Sequence, residues 1–149
     1  MNMTAASPRN GLPRALAPVD LARLQPHLVN VRLVREQVLV DCGQAAEHVF
    51  FIDSGIALLV AQTDRATGGV HVGIIGRAGM VGGLALLDPR TVAYAGAIMQ
   101  VPGAAMRISV AALADVLDER PGVRVVLMRS VQSLARQVMR IAAWNATDT

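Results

Sequence analysis

The sequence predicts an α+β domain in which short strands roll up between flanking helices, and three observations carry that expectation. From Val31 onward, apolar and polar residues alternate with a period of two. Turn-forming clusters interrupt the alternation at short intervals. The last stretch, VRVVLMRSVQSLARQVMRIAAWNA, repeats apolar residues every three or four positions and has no breaker.

The elements follow in order. Residues 1–17 read as a loose lead with Pro8, Gly11 and Pro13. APVDLARLQPHL reads as a short helix: Pro18 suits a first turn, Leu21, Leu24 and Leu28 share a face, and Pro26 limits it. VRLV, VLVD, HVFFID and GIALLVAQ then read as strands, parted by turns at Arg35-Glu36-Gln37, Cys42-Gly43-Gln44 and Asp53-Ser54-Gly55. A wider turn, Thr63 to Gly69, leads into VHVGIIG, and TVAYAGAIMQV and GAAMRI complete the strands. Many short strands of this kind indicate a barrel or sandwich.

SVAALADVLDERPG is a helix with Ser109 as its N-cap, an inner face of Leu113, Val116 and Leu117, and a break at Pro121-Gly122. Beyond it, Leu127, Val131, Leu134, Val138 and Ile141 alternate spacings of four and three, an a/d seam. Met128, Ala135 and Ala142 lie beside the seam, and Arg129, Arg136 and Arg140 point away from it. The seam can pack on the chain's own strands or on a second copy. Its narrowness and its place at the end of the chain favour a homodimer. The expected organisation is a lead (1–17), a strand-rich unit with flanking helices (18–120), a dimerisation helix (121–145) and a tail (146–149).

Bulk composition narrows the function. A chain of 149 residues, 53% hydrophobic and 17% charged, can build one globular core. Its apolar runs fall far short of the roughly 20 residues of a membrane span, and the start lacks a signal-type apolar region. A cytoplasmic protein without membrane contact is expected. The single cysteine, Cys42, allows no internal disulfide, thiolate zinc site or iron–sulfur cluster within one chain. A net charge of +3 permits nucleic-acid contact without demanding it.

GMVGGLALLDPRTVAYAG, Gly79 to Gly96, is the stretch with chemical potential. Glycines ahead of a short apolar run can aim backbone N–H groups at a phosphate. Together with EQVLVDCGQAAEHVFFIDSGIALLV, and with the order of helix, strands, glycine-rich loop, short helix and seam helix, it resembles the sensory domain of the Crp/Fnr family of bacterial transcription regulators. The resemblance implies a double-stranded β-roll, jelly-roll-like, of the cyclic-nucleotide-binding type. It also implies a small-molecule effector, a homodimer, and a winged helix-turn-helix that reads DNA. The chain reaches WNATDT directly after the seam helix, so DNA contact is expected only through a domain outside these residues.

In cyclic-nucleotide-binding members, a Gly-Glu-Leu cassette is followed about ten residues later by arginine. The glutamate takes the ribose and the arginine takes the phosphate. The matching positions here are Gly82, Gly83 and Leu84, with Ala85 next, and the arginine position falls at Tyr94 or Ala95. Losing two charged hydrogen bonds costs about 3–6 kcal/mol, about a hundred- to ten-thousand-fold in affinity. Cyclic AMP binding of ordinary affinity is therefore not expected. The candidate effector pocket is Gly82, Gly83, Leu84, Ala85, Arg90 and Tyr94, with a backbone anion nest and Arg90 as substitutes for the lost pair. Another effector, or a stand-alone dimerisation module with a vestigial pocket, both stay open.

Catalysis has weaker support. A related roll, the cupin, often holds a metal, but His27, His48 and His71 sit on separate segments and only His48 and His71 could meet across strands. No nucleophile elbow or P-loop pattern occurs. No enzymatic activity, metal site or cofactor is expected. Ser130 and Ser133 read as surface residues of the last helix, and Arg124 as part of its solvated face.

Overall fold

The computed structural model describes residues 10–63, 66–77, 79–86 and 95–147. Two short helices, α1 (Gly11–Arg14) and α2 (Pro18–Leu24), and a 3-10 turn (Gln25–His27) lead into the strands. The strands are β1 (Val29–Leu33), β2 (Val38–Val40), β3 (His48–Thr63), β4 (Ala66–Ile75), β5 (Met80–Val81) and β6 (Ala95–Ser109). A 3-10 turn, Gly83–Leu86, follows β5, and helices α3 (Val110–Glu119) and α4 (Pro121–Thr147) close the chain. The pairing is antiparallel throughout, in the order β1-β6-β3-β4, with β2 on β6 and β5 on β3. The expectation of an antiparallel roll with helices holds.

One expected turn and one expected break between strands lie inside continuous strands. Asp53-Ser54-Gly55 is a bulged bend within β3, and Pro102-Gly103 is the matching bend within β6. Each strand curls through the bend instead of ending there. Glycine makes this possible: Gly55 has φ +90°, and a Cβ on Gly103 would lie 2.1 Å from the carbonyl oxygen of Ser54. The Ser54 hydroxyl accepts from Ala104 N–H at 3.0 Å, tying the two bends together. The expected wide turn from Thr63 to Gly69 is also strand for most of its length, because Thr63 pairs with Ala66. Asp64 and Arg65 lie outside the described residues.

The end of the lead is not loose. Asn10 is fully buried, and its side-chain amide donates to the carbonyls of Ile52 and Gly79, both at 2.7 Å. Its side-chain oxygen caps α1 by accepting from Leu12 N–H at 2.9 Å. Leu12 and Leu16 then enter the core.

The interior divides at β3. Val49 and Phe51 join Leu24, Leu113, Val116, Val123 and Leu127 on the helical side. Phe50 and Ile52 join Leu33, Val40, Ile75, Met99 and three alanines inside the roll. Both faces of β3 are thus covered, and its continuous apolar run follows from that position. Where α2 meets the start of α4, Asp20 receives a 2.7 Å bond from Arg120.

Candidate functional site

A cavity of about 460 Å³ opens between the roll and α4. Its floor is strand residues, among them Val40, Leu59, Val72, Ile75 and Ala97. Its rim is Gly82, Gly83 and Ala85 of the glycine-rich stretch. Its roof is α4, through Ser130, Val131, Leu134, Ala135, Val138 and Met139. Gly82, Gly83 and Ala85 are thus brought together at one cavity. Leu84 lies on the same 3-10 turn. Arg90 and Tyr94 lie outside the described residues.

The expected anion nest is altered by the local fold. The apolar run after the glycines forms one 3-10 turn of four residues, too short to develop an appreciable helix dipole. Ala85 N–H is spent on the carbonyl of Gly82 at 3.1 Å, inside that turn.

Gly83 is also more than an acid deleted. A Cβ there would lie 3.0 Å from Met80 Cε and 3.2 Å from Val131 Cγ2. Those distances are tighter than ordinary van der Waals contact, so a glutamate would push against α4 as it stands. The position is filled by an apolar approach of the helix to the loop.

Polar contacts fasten the roof at two points. Arg124 donates to the carbonyl of Leu86 at 2.7 Å, so it is not merely part of a solvated face. Gln137 accepts from the backbone N–H of Ile74 at 2.5 Å, on β4. Ser130 is a cavity residue, contrary to the surface reading, whereas Ser133 is exposed. The helical period that marked the seam was the signal for Ser130, which lies three residues after Leu127 and four before Leu134.

The seam residues themselves mostly face inward. Leu127 is fully buried in the chain's own core, and Val131, Leu134 and Val138 line the cavity. Ile141 is half-buried. Arg129, Arg136 and Arg140 are exposed, as the spacing predicted. A neighbouring stripe on α4 remains open to solvent, with Val125 at 56% and Met139 at 63% exposure and Ala135 and Ala142 between and beyond them.

Other candidate chemistry does not assemble among the described residues. No group of three or more His, Cys, Asp or Glu side chains could hold a metal. His48 opposes Ser109 and His71 opposes Val60, so the two histidines attach to distant parts of β3. Cys42 sits half-buried in its turn. No described helix is long and apolar enough to cross a membrane.

No protein-family model matches this sequence, and no curated protein matches it. Solved structures do. A cyclic nucleotide-binding domain from Methylobacillus flagellatus superposes with a TM-score of 0.72 at 13% identity, over 95% of this chain and 82% of that one. The N-terminal domain of a transcriptional regulator from Streptomyces coelicolor A3(2) gives 0.64 at 22% identity, over 90% and 92%. The regulatory subunit of a cAMP-independent protein kinase A from Trypanosoma brucei gives 0.69 at 19% identity, over 81% of this chain but only 43% of that one. This chain therefore spans less than half of the kinase subunit's chain. The chain shares the overall fold of these domains, an antiparallel roll with helices.

Proposed function

We propose that this chain is the effector-sensing regulatory domain of a Crp/Fnr-like transcription regulator, with a cyclic-nucleotide pocket that has lost its polar anchors. The observation that carries the reading is the shared lining of the cavity. The glycine-rich loop and α4 enclose the same space, so an occupant touches the sensing loop and the output helix at once. A ligand that favours one placement of α4 shifts the population toward it. An attached DNA-binding domain reads that shift. The neighbour from Trypanosoma brucei, described as cAMP-independent, supports a regulatory role for this fold that does not depend on cyclic AMP.

Two copies pair through α4 in this proposal, by the exposed residues Val125 and Ala142 beside the cavity-lining positions. The seam stripe serves the chain's own cavity. Calorimetric titration with cyclic AMP and sedimentation of the free chain test the two parts. The expected results are no saturation at micromolar nucleotide, and a dimer that Val125→Glu with Ala142→Glu converts to monomer. Micromolar cyclic AMP binding would refute the lost-anchor reading. A wild-type monomer, or a dimer indifferent to both substitutions, would refute the pairing.

A further inference from the structure

We infer that the cavity takes a neutral, hydrocarbon-rich small molecule with a single hydrogen-bonding group, not a cyclic nucleotide; this rests on the effector-sensing reading above. The volume of about 460 Å³ lies in the range of small-molecule sites. Among the described residues of the lining, none is ionisable and Ser130 supplies the one side-chain hydroxyl. The other described strand and helix residues of the lining contribute aliphatic or thioether side chains, and Gly82 and Gly83 contribute backbone.

A cyclic nucleotide fits this lining poorly. Its phosphate would enter an apolar enclosure without a charged partner among those residues, and burial of an unpaired charge is strongly unfavourable. An acid at position 83 would meet Met80 and Val131 at tight contact and would require both to shift in the present placement of α4. The alternative ligand class gains where the nucleotide loses. Each methylene transferred from water into such a space raises affinity about four-fold. The hydroxyl of Ser130, half-buried on the roof, is placed to receive or donate one hydrogen bond.

The experiment uses the whole chain and the neutral fluorophore N-phenyl-1-naphthylamine. Octanol, nonanol, decanol, decanoate and cyclic AMP are the competitors. One fluorophore per chain should bind. The alcohols should displace it, with affinity rising about four-fold per added carbon. Ala135→Trp, which fills the cavity from an exposed helix position, should weaken fluorophore binding at least about ten-fold. Ser130→Ala should weaken alcohol binding by about two- to ten-fold. Circular dichroism checks that each variant is folded, and Ser130→Phe is a second filling variant.

The outcomes separate the claims. Cyclic AMP binding with inert alcohols overturns the ligand class and leaves effector sensing in place. Decanoate binding far more tightly than decanol also overturns it, since the site would then take an anion. Fluorophore binding that survives both filling variants places the apolar site elsewhere and overturns the inference. No binding of fluorophore, alcohol or nucleotide overturns the inference and the sensing reading together.

Discussion

On the helical side of β3, Val49 and Phe51 join leucines and valines from all four helices. On the roll side, Phe50 and Ile52 join a cluster that includes Ala57, Ala97 and Ala105. The larger cavity borders the second cluster through Val40, Ile75, Val81 and Ala97 and touches the first at Met80 and Ala85. Large side chains dominate the helical interior, which borders a smaller cavity of about 250 Å³ at Leu86, Val110, Leu113 and Leu117, whereas small ones sit beside the larger space on the roll side. The same strand thus divides two cores of different packing, and residues a single position apart along it belong to different clusters.

The largest break in that comparison is Phe51→Ala. Phe51 is fully buried among the helices, so its truncation should cost about 3–5 kcal/mol in urea unfolding. A loss below about 1 kcal/mol would show that the helical core is looser than the geometry indicates. Ala97→Val sharpens the contrast from the other side. Adding carbon to a close-packed site is destabilising, but Ala97 borders open space. The change in stability should stay within about 1 kcal/mol, while fluorophore binding weakens.

The smallest effect lies outside both cores, at the exposed pair of Arg23 and Glu119. The hydrogen bond from Arg23 holds the Glu119 carboxyl below its ordinary range. A depressed carboxylate stabilises the fold above its unfolded pKa and loses that contribution as pH falls through the folded value. The wild type should therefore be slightly more stable than Glu119→Gln at neutral pH. The two unfolding curves should converge in acid, and added salt should shrink the gap. A gap that persists in acid would assign it to something other than the ion pair.

How much of this was legible depends on which interactions are local. The two-residue period located most strand segments, and Ser109 capped α3 as expected, accepting from Ala112 N–H at 3.1 Å. The bends at Gly55 and Gly103 looked like strand ends because a glycine beside a polar residue marks a turn and a bulge alike. Only the cross-strand approach of the two separates those cases. Asn10 was invisible as an anchor, since its partners Ile52 and Gly79 are remote in sequence. Gly82, Gly83 and Ala85 of the glycine-rich stretch line a cavity. The character of that space depends on strand and helix residues that no single motif unites. The seam was read as a stripe, but its partner, the chain's own roll, is a property of the tertiary fold.

Gln137 has a second consequence through its bond to Ile74. β4 ends the ordered path of strands, and an outer strand with free N–H groups is a template for open-ended addition of other chains. Gln137 occupies one of those groups while α4 lies down. Any movement that lifts the helix uncovers it. Under the proposed switch, a state that releases α4 would therefore also expose this strand edge to other chains.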